Sequence, residues 1–156
     1  MIDESQLKGI SFGLVSGVIT TLGMMIGLDI GTSSKITVML GVITISIADA
    51  FSDALGVHVS EESEKSSEKK IWKATIATFL SKFIFSISFL IPLLLLELKT
   101  AVITSSIYGL ILISLMSYYI AKKQKNTPWK VISEHVAITI AVITISYFVG
   151  TWFASI

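Results

Sequence analysis

The sequence predicts an all-α membrane protein with five transmembrane helices, and three observations carry that prediction. Of the 156 residues, 53% are hydrophobic and 15% charged, with a mean hydropathy of +0.81, far above that of a water-soluble domain of this size. Uncharged apolar stretches recur five times, each close to the roughly 20 residues needed to cross a bilayer. They are solid runs without the alternation of a barrel strand, and no separate soluble domain fits between them.

The same composition excludes several function classes. The chain has no Cys, so a disulfide framework, a thiolate metal site and a Cys nucleophile are all ruled out. Its 12 basic residues are all Lys and face 11 acids, for a net charge of +1, which makes no basic field for nucleic acid.

The single transmembrane domain, residues 1–156, divides into spans at about 9–29, 36–57, 74–97, 101–121 and 132–154. The opening MIDESQLK is acidic before its Lys and lacks a small-residue cleavage site, so the first span is expected to stay in the mature protein. The connections alternate in character. Lys8 and the two loops holding Lys65, Lys69, Lys70, Lys73, Lys122, Lys123, Lys125 and Lys130 lie on one side, against only Lys35 and Lys99 on the other. The positive-inside rule therefore places the N-terminus in the cytoplasm and the C-terminus outside the cell membrane. Trp72 and Trp129 stand where the Lys-rich loops enter the next span, as interface anchors do, and Thr127-Pro128 suits the start of the last helix.

Span 1 holds six of the ten glycines. Gly9, Gly13, Gly17, Gly23, Gly27 and Gly31 fall within about 120° of arc, together with Ser16, Thr20 and Met24. Such a face lets another backbone approach closely, which is how helices associate in lipid. The expectation drawn from it is a homodimer through helix 1, with packing inside one chain as the alternative.

Span 2 carries Asp49 and Asp53 one turn apart within apolar sequence. An ionisable group at membrane depth costs roughly 2.5 to 3.5 kcal/mol on insertion scales, so the pair is a functional-site candidate, against a purely structural tie between helices. If this helix runs on past Gly56, then Glu61, Glu64 and Glu68 continue the same stripe as an acidic track from solution. The competing reading is a solvated stalk paired with lysines. His58 near the mouth is a candidate ligand, whereas His135 beside Glu134 reads as an ordinary interfacial residue.

Span 3 holds one base, Lys82. At about 1.5 Å per residue it lies about 15 Å inward from Trp72, and Asp53 and Asp49 lie about 10 and 16 Å inward from Ser60, so the depths match. Pairing is expected, because a Lys and an Asp left apart there would both be costly, and a Lys displaced by an incoming cation is a means of coupling protons to metal. The alternative is a Lys82 that snorkels to the headgroups.

Taken together, GLVSGVITTLGMMIGL in span 1, ADAFSDALGVHVSEESE in span 2, FLIPLLLLEL closing span 3 and KKQKNTPWKVISE through SYFVGTWF at the end resemble the vacuolar iron transporter family. The resemblance covers nearly the whole chain. It implies a five-helix dimer that exchanges Fe²⁺ or Mn²⁺ for protons, moving the ion out of the cytosol. The chain departs from the family at three places. Ser16 stands where the family's first helix has an acidic residue, Asp53 replaces a Met before Gly56, and Asp49 stands at a usually small position. The metal-binding insertion that the family's eukaryotic members carry between helices 2 and 3 is missing, since that connection is only about 16 residues.

The expected metal ligands are Asp49 and Asp53 with Ser16, Thr20 and Met24, and with His58, Glu61 and Glu64 toward the mouth. Fe²⁺ and Mn²⁺ accept oxygen and imidazole readily. No resident cofactor and no enzymatic activity are expected. An intramembrane aspartyl protease would need its two acids on different helices. A structural subunit leaves the acids unexplained, and a passive cation channel would use them as a selectivity ring.

Overall fold

The computed structural model describes residues 3–156 and is helical throughout, with no strand among the described residues. Its elements are α1 (Glu4–Thr32), α2 (Lys35–Ser63), α3 (Glu68–Ser88), α4 (Leu90–Leu95), α5 (Leu98–Lys123) and α6 (Pro128–Ala154). With α3 and α4 counted together as Glu68–Leu95, five segments are long and apolar enough to cross a membrane. Four of the expected spans lie inside one of them, and the third, 74–97, runs two residues past the end of its segment at Leu95. The break within the third was not foreseen. It falls at Phe89, three residues before Pro92, whose ring nitrogen cannot donate to the Ser88 carbonyl.

The bundle has an apolar outer surface, and small hydroxyl residues are buried beside an apolar core built on Leu14, Val18, Leu22 and Met25. Leu40, Ile47, Leu55, Ile84, Ile107, Leu115 and Phe148 are exposed on its surface, while Ser46, Thr78, Ser81, Ser86, Ser105, Ser117 and Thr139 are buried. Small hydroxyl residues let backbones come close and satisfy themselves on carbonyls of their own turn, as Ser46 does on Val42 and Thr78 on Ala74. Helix α1 sits at the centre and packs on α3, α6, α2 and α5, whereas α6 is largely open to its surroundings.

The glycine face of α1 is used inside the chain, which corrects the reason given for a dimer through it. A Cβ at Gly9 would lie 2.4 Å from the Ala74 carbonyl oxygen, and one at Gly13 would lie 2.6 Å from that of Thr78. Gly17 faces Lys82 and Ser86 in the same way, and Gly23 faces Val142 and Ser146 of α6. Gly9→Ala is therefore expected to cost about 1 to 3 kcal/mol through overpacking against backbone. At Gly56 a Cβ would meet nothing within 4 Å, so Gly56→Ala should be neutral or stabilising by up to about 1 kcal/mol of helix propensity. Thermal unfolding of the two variants in mild detergent checks the contrast.

The Lys-rich turns are closed by lysines where glycine is usual. Lys65 (φ 56°) and Lys125 (φ 57°) are left-handed, and the next amides, of Ser66 and Asn126, reach back to the carbonyls of Glu61 and Ala121. At the same end Asp3 caps α1, accepting from the Gln6 amide at 2.9 Å, and pairs with Lys73 of α3. The Lys73 ammonium, ahead of the Gln6 amide, lowers the Asp3 pKa below its ordinary 3.8. A depressed acid stabilises the fold above its unfolded pKa and stops doing so as pH falls through its folded value. Amide exchange in the first turn of α1 should thus stay protected down to about pH 4 and rise below it, while Asp3→Asn should exchange faster than the wild type above about pH 4 and approach it at lower pH.

Candidate functional site in the membrane

Lys82 stands one turn beyond Thr78 on α3, on the face that meets α1, and the absence of a side chain at Gly17 gives its stem room. A Cβ there would lie 3.2 Å from the Lys82 Cγ. The side chain is 0% exposed and does not reach toward the headgroups. Its ammonium pairs with Asp53 Oδ2, with Asp49 Oδ2 at 2.6 Å, and donates to Ser16 Oγ at 2.9 Å. The hydroxyls of α1 complete the cluster, Ser16 donating to Asp53 at 2.7 Å and Thr20 donating to Asp49 at 2.9 Å.

The spacings in sequence explain why these groups meet. Ser16 and Thr20 are one turn apart on α1, Asp49 and Asp53 one turn apart on α2, and the two helices run in opposite directions, so each hydroxyl faces one acid. Both carboxylates bend onto a single ammonium, although one helical turn separates their backbones. The cluster holds two negative charges and one positive, leaving a net −1 in an apolar surround. Asp49 and Asp53 remain 27% and 19% exposed, so one side of the pair is reachable.

The other expected ligands lie elsewhere. The Met24 sulfur packs over Gly41 of α2, a turn along α1 from Thr20. Glu61 is nearly buried, and both its oxygens are engaged, by Lys8 at 2.6 Å and by the Ser66 hydroxyl at 2.8 Å. Glu64 lies 3.4 Å from the same Lys8 and caps the end of α2, while Glu68 already belongs to α3. The expected acidic track is therefore interrupted, because the chain turns at Lys65 where an unbroken helix was assumed. His58 bonds to Thr75 at 3.0 Å and faces Glu62. Among the described residues, no three His, Asp or Glu converge as a ready metal cage.

Sequence reasoning missed the groove that leads to the cluster. A cavity of about 940 Å³ runs along α1 from Glu4 and Lys8 past Phe12 and Ile19 to Ser16 and Thr20, with Lys123, Gln124 and His135 on its far wall. A second groove of about 530 Å³ lies toward the other end, lined by Gly27 and Gly31 of α1 and by Ser146 and Gly150 of α6. Between them Val142 rests on Gly23. The first lies between α1, α5 and α6 and the second between α1 and α6, and no local sequence signal reports the distance between such helices. Comparison with protein-family models, curated proteins and solved structures finds no match to this chain.

Proposed function

We propose that the chain is a transporter of divalent cations of the Fe²⁺ or Mn²⁺ class, exchanging them for protons to remove them from the cytosol. The observation that carries this reading is a fully buried Lys82 held between Asp49 and Asp53 within transmembrane sequence. Charged groups at such depth are retained where they work on ions. Lys82 serves as a tethered cation that offsets one of the two acidic charges when no metal is present.

The charge count gives the coupling. A cluster of net −1 that takes up a divalent ion becomes +1, and it reaches neutrality when Lys82 gives up its proton. Loading and proton release are thereby linked, and reloading the proton expels the metal. In one subunit the ion takes Asp49, Asp53, the Ser16 and Thr20 hydroxyls and water, a hard oxygen set suited to Mn²⁺ or Fe²⁺. The groove beside Ser16 and Thr20 is the approach from the Lys-rich, cytosolic end.

The proposed assembly is a homodimer in which the open Phe12–Ile19 face of α1, with Phe12 exposed to 45%, meets its two-fold mate. Because the chain has no Cys, a single cysteine at Phe12 or Ile19 should cross-link subunits in membranes. Failure at both positions contradicts this arrangement.

Flux into liposomes tests the function. Mn²⁺ and Fe²⁺ should accumulate against their gradient when a pH gradient is imposed, and Na⁺ should not. Downhill flux that ignores the pH gradient would identify a channel, and no flux at all a structural subunit.

A further inference from the structure

We propose a second, independent divalent-cation site at His58 and Glu62, on the opposite side of α2 from the Lys82 cluster. These residues lie about 140° and 180° round the helix from Asp53. The two are themselves one turn apart, near the Lys-rich end.

The proton of Thr75 sets the state of the imidazole. Its hydroxyl lies 2.8 Å from the Ile71 carbonyl oxygen, which can only accept, so the hydroxyl proton is committed there. The same oxygen is 3.0 Å from His58 Nδ1 and must therefore accept from it. That fixes the neutral imidazole as the Nδ1–H tautomer, with its lone pair on Nε2. Nε2 in turn lies 3.6 Å from Glu62 Oε1, and the ring is held edge-on against Trp72 with centroids 4.9 Å apart.

A lone pair and a carboxylate facing each other at that distance are both acceptors, so a donor or a positive charge belongs between them. A proton or a bridging water is one solution. A metal ion is another. The ring is already set as in metal sites, one nitrogen donating to an oxygen behind it and the other free in front. Imidazole nitrogen with carboxylate oxygen suits first-row divalent ions. The Glu62 side chain is 57% exposed, so water can fill the remaining coordination positions.

This site does not rest on the transport reading and can be tested without transport. The probe is Mn²⁺ added to the purified full-length protein in detergent, read by pulsed electron paramagnetic resonance for coupling to a histidine nitrogen. The expected result is nitrogen-coupled Mn²⁺ in the wild type, in Asp53→Asn and in His135→Gln, and its loss in His58→Gln. Glu62→Gln and Thr75→Val should each weaken that ion by about tenfold or more, Thr75→Val while keeping the nitrogen coupling. Nitrogen coupling that survives His58→Gln overturns the proposal, as does its absence from both the wild type and Asp53→Asn, or an unchanged affinity in Glu62→Gln. Loss of Mn²⁺ binding confined to oxygen-only signals in Asp53→Asn concerns the transmembrane cluster and leaves this site standing.

Discussion

Asp53→Asn is expected to weaken divalent-cation binding at the transmembrane cluster by on the order of a hundredfold, corresponding to about 3 kcal/mol, the scale of removing one member of a buried charge pair. The substitution keeps the size of the side chain and one acceptor oxygen, with an amide donor in place of the other. It changes the net charge of the cluster from −1 to 0, so an arriving cation meets Lys82 and Asp49 already balanced. Asp49→Asn makes the same change in charge and should have a similar effect, since both carboxylates contact one ammonium. Both variants retain one Lys–Asp pair and should remain folded. Calorimetric titration with Mn²⁺, in a His58→Gln background to silence the second site, reads the effect directly, and wild-type affinity in both Asn variants contradicts the assignment.

Lys82→Met should have the largest effect on stability. It leaves two carboxylates at membrane depth with only the Ser16 and Thr20 hydroxyls to compensate them, at a cost of about 3 to 5 kcal/mol. The variant separates a tethered cation from a merely structural tie. If the ammonium occupies the place of a metal ion, Mn²⁺ should recover most of the lost thermal stability of Lys82→Met and should stabilise it more than it stabilises the wild type. A variant that unfolds early and gains nothing from metal would mean that Lys82 only holds α1, α2 and α3 together.

Much of this was legible in the sequence, and the parts that were not have physical reasons. The spans follow from apolar length alone. The meeting of Lys82 with Asp49 and Asp53 follows from matched depth, because depth is linear in residue number along a helix. Rotation about the bundle is not linear in anything the sequence displays. The glycine stripe of α1 shows that some backbone comes close without showing whose, and Gly9, Gly13 and Gly17 receive α3 of the same chain. The acidic track failed at Lys65 because its left-handed turn carries no glycine to announce it. The tautomer of His58 depends on a proton held by Thr75, 17 residues away in sequence, which only the packed structure brings into contact.

The central claim is that a divalent ion and the Lys82 proton exclude each other, and counting protons tests it most directly. Mn²⁺ titrations in buffers of differing ionisation enthalpy, on the His58→Gln protein, give the number of protons released for each ion bound. About one is expected in that protein and none in its Lys82→Met derivative. Saturable binding that releases no proton while Lys82 is present would contradict it.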